Sequence, residues 1–350
     1  MPDLSADSPK GVLRQGWTAA VDDYAIAGGW MLRGNVLVVA DSAGGVYAFE
    51  GKSGASAWAR PGTHQRAHDG GILAMAIHPD GTVFATAGQD GRVLVWGAAE
   101  GQVQQTIDVG RGWAEHVAWS PDGRSLAASC SRQVRVYGAD GGEVWRSDDH
   151  PSTVSAIAWS SAGELATACY GQVTFFDTST GEVCQKLEWK GSLVSMALSP
   201  DGEVVACGSQ DNTVHLWRRS TEQDFMMSGY PGKPSALAFD DAGVLLATGG
   251  SNFVTVWSFE GGGPEGTRPG SLKLHVETVA TLAFARRALR LASGGRDGSV
   301  VVWSLQKNGE GDPIGAAIVG GGVAELRWRP DGRALAALDA QGGVTVWRTG

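Results

Sequence analysis

The chain has 350 residues, 43% of them hydrophobic and 19% charged, enough to bury a core and too apolar to remain disordered. Its formal charge of −9 argues against a nucleic-acid binder, which needs a net basic face, and no run of 18 apolar residues offers a membrane helix. Four cysteines without a CxxC pair exclude a disulfide scaffold and a zinc ribbon.

In chain order, the polar start over residues 1–10 carries no apolar segment that could serve as a secretion signal, so it is expected to be a flexible tail on a cytoplasmic protein. Next, Val12-Leu13-Arg14-Gln15 suits an extended strand. From there a short apolar run ending in an aromatic recurs eight times. Its copies are Val46–Phe49, Val93–Trp96, Val134–Tyr137, Val173–Phe176, Val214–Trp217, Val254–Trp257, Val300–Trp303 and Val344–Trp347. The closing aromatics lie 47, 41, 39, 41, 40, 46 and 44 residues apart. Upstream of each lies a second run, such as Val83–Thr86, and before that a third, such as Val117–Trp119. Four connections between third and second runs read Pro-Asp-Gly (at Pro79, Pro121, Pro200 and Pro330), where proline presets φ and glycine accepts a positive one. β-branched and aromatic runs between turns are strands, and no window sustains a 3.6-residue period, so helix is expected to be nearly absent. A further stretch in each unit, for example 101–109 or 181–189, supplies a fourth strand.

Four-stranded units of about 40 residues repeated around a ring describe a β-propeller. The residues resemble the WD-repeat family over residues 11–350. His68, Thr86, Asp90 and Trp96 in the second unit stand where that family places its structural tetrad, as do His275, Ser293, Asp297 and Trp303 in the seventh. The fifth unit keeps Asp211 and Trp217 but has Trp189 and Cys207 at the other two positions. The first unit, with Val46–Phe49, Ser53-Gly54 and Trp58, is similar to quinoprotein-type propellers. The expectation is an all-β, eight-bladed propeller of four-stranded antiparallel blades. Only three residues follow Trp347, so the N-terminal segment should pair with the last blade and close the ring, leaving no unpaired edge.

The resemblance implies that the tetrads are buried hydrogen-bond relays rather than catalytic groups. It also implies that two loops of each blade open on one face, here holding Arg111, Trp113, Tyr170, Trp189, Lys190, Tyr230, Lys233 and Arg296. Aromatics among basic side chains have the composition of an interaction hot spot, although Trp189 and Tyr230 also fall where a tetrad histidine would sit. His116, Cys130, His150 and Cys169 belong to neighbouring blades and offer soft-metal ligands, without any recognised spacing. Glu325 and Arg327 replace the small residues of other blades and are expected to form an ion pair in the central channel.

Gly261-x-Gly263-x-x-Gly266 matches a dinucleotide fingerprint by letter only, since it contains Pro264 and opens no helix. The reading is a non-enzymatic, monomeric scaffold without a cofactor. It would bind a protein or peptide partner rather than nucleic acid or membrane. The rival readings are a small-ligand or metal-binding propeller and a propeller-type hydrolase or lyase.

Overall fold

The computed structural model describes residues 10–58, 67–261 and 263–350. The expected tail lies outside the described residues except for Lys10, which forms the short strand Lys10–Gly11. Among the described residues the only helical element is a single 3₁₀ turn, Leu32–Gly34; everything else is strand and turn. No helix among them is long and apolar enough to cross a membrane.

Each unit is an antiparallel meander. In the second, Ile72–Ile77, Val83–Gly88, Arg92–Gly97 and Val103–Asp108 pair in sequence order. The alternation of side chains across a strand explains the packing: Phe84 and Trp96 on one face stack at 5.9 Å with nearly parallel rings, while Ala85 and Ala87 on the strand Val83–Gly88 are fully buried. Middle strands are covered on both faces by neighbouring sheets, which is why they are nearly all apolar. The innermost strand stays half-exposed, as Ile72–Ile77 does after its first residue, and lines a central channel. The Pro-Asp-Gly turns form as their chemistry requires. At the first, Gly81 has a φ of 70° and Asp80 Oδ1 accepts from the Thr82 backbone N–H and hydroxyl, both at 2.7 Å.

Adjacent units are tied by tryptophan. Trp58, beyond the third strand of the first unit, and Trp145 in the outer strand Glu143–Arg146 donate through Nε1 to the carbonyls of Ala98 and Thr178 in the next unit, at 2.9 and 2.8 Å. Inner-strand Trp159 and Trp328 donate to Ala118 and Ala283 in the preceding unit, both at 3.0 Å.

The ring closes through the N-terminal segment. Leu13–Ala20 pairs antiparallel with Gly343–Thr349, from Leu13 opposite Thr349 to Ala20 opposite Gly343, with a bulge at Gly16. Beyond the expectation, Lys10–Gly11 continues outward and adds a fifth strand to the sheet of the seventh unit. Among the described residues the first unit has three strands, Ala25–Met31, Val36–Asp41 and Val46–Glu50.

The expectation of eight separate blades is corrected: among the described residues the strands form seven hydrogen-bonded sheets, one of them six-stranded. Val183–Leu198 is one 16-residue strand. Its first half pairs with Gln172–Phe176 and its second half with Val204–Ser209, so the outer strand of the fourth unit runs without a turn into the inner strand of the fifth. The sequence there, Trp189-Lys190-Gly191-Ser192, lacks Pro, Asn and Asp, and Gly191 does not adopt the positive φ that turns the chain at Gly70, Gly71 or Gly229.

Candidate functional site

The tetrads are relays, built where the turn into an inner strand meets the two middle strands. His68 is buried, with Nδ1 2.9 Å from Asp90 Oδ1 and Nε2 2.9 Å from Thr86 Oγ1; Trp96 Nε1 donates to the same hydroxyl at 2.9 Å. In the seventh unit His275 Nε2 lies 2.7 Å from Ser293 Oγ, which accepts from Trp303 Nε1 at 2.8 Å. There the carboxylate is reached through a further hydroxyl, because Ser299 Oγ stands 2.5 Å from both His275 Nδ1 and Asp297 Oδ1. Two more units carry variants of the relay. His150 Nε2 is 2.8 Å from Thr167 Oγ1, with Phe176 where the tryptophan stands elsewhere. Tyr230 replaces the histidine in the sixth: its hydroxyl is 3.0 Å from Thr248 Oγ1 and accepts from Trp257 Nε1 at 2.9 Å.

These positions correct part of the sequence reading. Tyr230 is committed to a relay, and Trp189 stacks half-buried on His215 with ring centroids 3.8 Å apart, so both rings serve packing. The candidate metal ligands do not converge. His150 holds Thr167 and the Arg132 carbonyl, Cys169 is buried with its Sγ donating to the Tyr170 carbonyl, and the described residues contain no group of three or more His, Cys, Asp or Glu side chains able to hold a metal.

The buried histidines set a pH dependence. His68, His116, His150 and His215 are each held below the ordinary imidazole range, with burial the largest cause in every case. A histidine that takes up its proton less readily when folded costs nothing above about pH 6.5 and weakens the fold as pH falls through and below that value. Asp90 and Asp297 are lowered by hydrogen bonds that outweigh their desolvation, and their contribution is lost only below about pH 4. The melting temperature is therefore expected to be level from pH 8 to 7 and to drop between pH 6.5 and 5, in a series at constant ionic strength. A level melting temperature down to pH 5 would contradict these placements.

On the face where the relays end, Trp113 and Tyr170 are 53% and 57% exposed. They stand on neighbouring units linked by backbone. Ala114, next to Trp113, pairs with Cys130. The following Ser131 accepts at its carbonyl from Val154 N–H at 2.9 Å, and Ser152 Oγ accepts from the Tyr170 N–H at 2.9 Å. Arg132 reinforces this bridge, its Nε donating to the His150 carbonyl at 2.7 Å. The rings thus stand on a braced rim. Arg111, Lys190, Lys233 and Arg296 are exposed, and among the described residues none has a carboxylate within ion-pair distance. At the opposite end the channel opens into a cavity of about 630 Å³ lined by Trp30, Met75, Phe284, Arg286, Glu325 and Arg327. Glu325 and Arg327 pair there as expected, and both are anchored to Gly28, whose N–H donates to Glu325 and whose carbonyl accepts from Arg327 Nε at 3.1 Å.

A family model described as "WD domain, G-beta repeat" matches residues 60–97, 102–138, 181–218 and 266–304. Telomerase protein component 1 of Mus musculus is 23% identical over 81% of this chain, which spans 11% of that protein. Actin-interacting protein 1 of Caenorhabditis elegans is 27% identical over 69% of this chain and 40% of its own length. The chain thus spans half or less of the length of these curated relatives and others like them. Among solved structures, the computationally designed Ika8 protein superposes with a TM-score of 0.80 at 20% identity, covering 94% of this chain and 97% of that one, which is a likeness of fold.

Proposed function

We propose that this chain, four stretches of which match the WD-repeat model, is a non-enzymatic WD-repeat platform whose relay-side face docks a protein or peptide partner. The observation that carries this reading is the exposure of Trp113 and Tyr170 on neighbouring, hydrogen-bonded loops. Large aromatics held rigidly at a surface lose little entropy when covered, and beside basic side chains such as Arg111 and Lys190 they form the usual centre of an interface. Actin-interacting protein 1 is by its name a protein that binds another protein, which agrees with the proposal. Four cysteines, all unpaired, fit a reducing compartment such as the cytoplasm. We infer further that the six-stranded sheet acts as two wedges, so that eight repeat units share the ring.

The test is quantitative affinity purification from the source cells with the wild-type chain and with Trp113→Ala/Tyr170→Ala. The dissociation constant of any recovered partner is then measured with purified proteins. Loss of two hot-spot rings should weaken binding roughly a hundredfold or more. Equal affinity for both chains would overturn the assignment of this face.

A further inference from the structure

We propose that the seam where the ring closes, at the end opposite the aromatic rim, is a binding site for a compact, multiply charged oxyanion of the phosphate type. A cavity of about 510 Å³ sits at this seam, walled by Gly16, Trp17, Lys52, Arg329, Arg333 and Arg348. Four cations therefore face one cavity on a chain whose net charge is −9. They come from three places: the outer turn of the first unit supplies Lys52, the inner turn of the last supplies Arg329 and Arg333, and the strand Gly343–Thr349 supplies Arg348.

The charges are largely uncompensated. Arg329 pairs with Asp331 through Nε and Nη2, at 2.8 and 2.7 Å. Among the described residues, neither Lys52, Arg333 nor Arg348 has a carboxylate within ion-pair distance, and Arg348 donates only to the Gln15 carbonyl. Glu50, on the same turn as Lys52, is held by the Ser53 hydroxyl at 2.7 Å. A second, independent feature points the same way. Arg14 lies directly opposite Arg348 across the closing pair of strands, a like-charge arrangement that costs stability in a sheet unless an anion relieves it.

The backbone leaves room for a ligand. Gly34, with a φ of 86°, lies so close beneath Arg329 that a methyl group there would meet its Cγ at 2.6 Å, so the side chain is laid across the seam. The bulge at Gly16 interrupts the strand register beside the cavity. Guanidinium forks match tetrahedral oxyanions in bidentate fashion, and several of them together favour a dianion over a single carboxylate. The occupant must be compact. At this end of the ring the inner turns of the second, third, fifth and sixth units carry the exposed Asp80, Asp122, Asp201 and Asp241, which would repel an extended polyanion such as nucleic acid. Both walls belong to the closed ring, so binding and closure are linked, and the ligand should raise the melting temperature.

The probes are sodium pyrophosphate and a phosphoserine peptide, each titrated calorimetrically into the full chain and followed by thermal melting, with sodium chloride matched for ionic strength. Saturable one-site binding of either probe is expected, with a melting temperature that rises with probe concentration. Binding should weaken about tenfold or more in Arg333→Ala/Arg348→Ala. Lys52→Ala, in a separate element, should weaken it as well, while Arg124→Ala, an equal loss of charge elsewhere at this end, should not. Binding of pyrophosphate alone identifies a free phosphate as the source, and tighter binding of the peptide identifies a phosphorylated partner. No binding of either probe, affinity unchanged in both seam variants, or an equal melting shift with sodium chloride would each overturn the proposal.

Discussion

Removing residues 1–17 is expected to unfold the ring or to lower its melting temperature by far more than any surface substitution. Those residues supply the part of the closing strand that buries Leu13 and Trp17, 1% and 9% exposed, against the last and first units. The seam repeats the ties found between other units: Trp17 Nε1 donates to the Gly51 carbonyl at 3.1 Å, and Trp30 Nε1 to the Arg327 carbonyl at 3.0 Å. Truncation removes the first of these and exposes the edge of Gly343–Thr349, a strand with its ladder groups free to pair with other chains. Trp17→Ala isolates the packing contribution and should cost about 3–5 kcal/mol, a large share of a total stability of about 5–15 kcal/mol. Trp17→Phe keeps the contact with Phe49, at 5.9 Å between ring centroids, and loses chiefly the hydrogen bond, for about 1 kcal/mol. Circular dichroism melts of the truncation and the two variants give the comparison. A truncated chain that melts with the wild type would show that the closing strand is dispensable.

The parts of this molecule legible in its sequence are those written locally. The turns at Pro79 or Pro330 and the tetrads at His68 and His275 each announce themselves within one unit, although in the seventh unit Ser299 stands between the histidine and its carboxylate. Substitution inside a relay is harder to read. Tyr230 reads in sequence both as a surface aromatic and as the occupant of a tetrad-histidine position, and only its hydroxyl, found between Thr248 and Trp257, decides between the two. His150 looks like a metal ligand for the complementary reason, since its partner Thr167 is recognisable only once the register of the fourth unit is known. The fusion of two units through Val183–Leu198 depends on a turn that fails to form, and the apolar pattern on either side is the same in both cases. The basic seam is least legible of all. Lys52 and Arg348 are separated by nearly the whole chain, and only ring closure brings them to one cavity.

Thr86→Val is expected to be among the most damaging single-atom changes available. The side chain is fully buried and its shape is nearly preserved, so lost packing contributes little. What is lost is the hydroxyl shared by His68 Nε2 and Trp96 Nε1. Two polar nitrogens are then left buried without partners, at about 1–3 kcal/mol each. The damage should not stay local, because His68 also holds Asp90, whose other oxygen accepts from the Asp69 backbone N–H at 3.1 Å and so shapes the rim-side loop. Thr86→Ser keeps the hydroxyl and reproduces the seventh unit, where Ser293 does the same work, so it should cost little more than a methyl group, about 1 kcal/mol. Denaturant unfolding of both variants, with His68→Ala and the His68→Ala/Thr86→Val double variant, completes a cycle. If the relay is one coupled unit, the double variant should be destabilised by clearly less than the sum of the two single changes. A valine variant within about 0.5 kcal/mol of wild type, or strictly additive costs, would mean that the tetrad is a set of contacts rather than a relay.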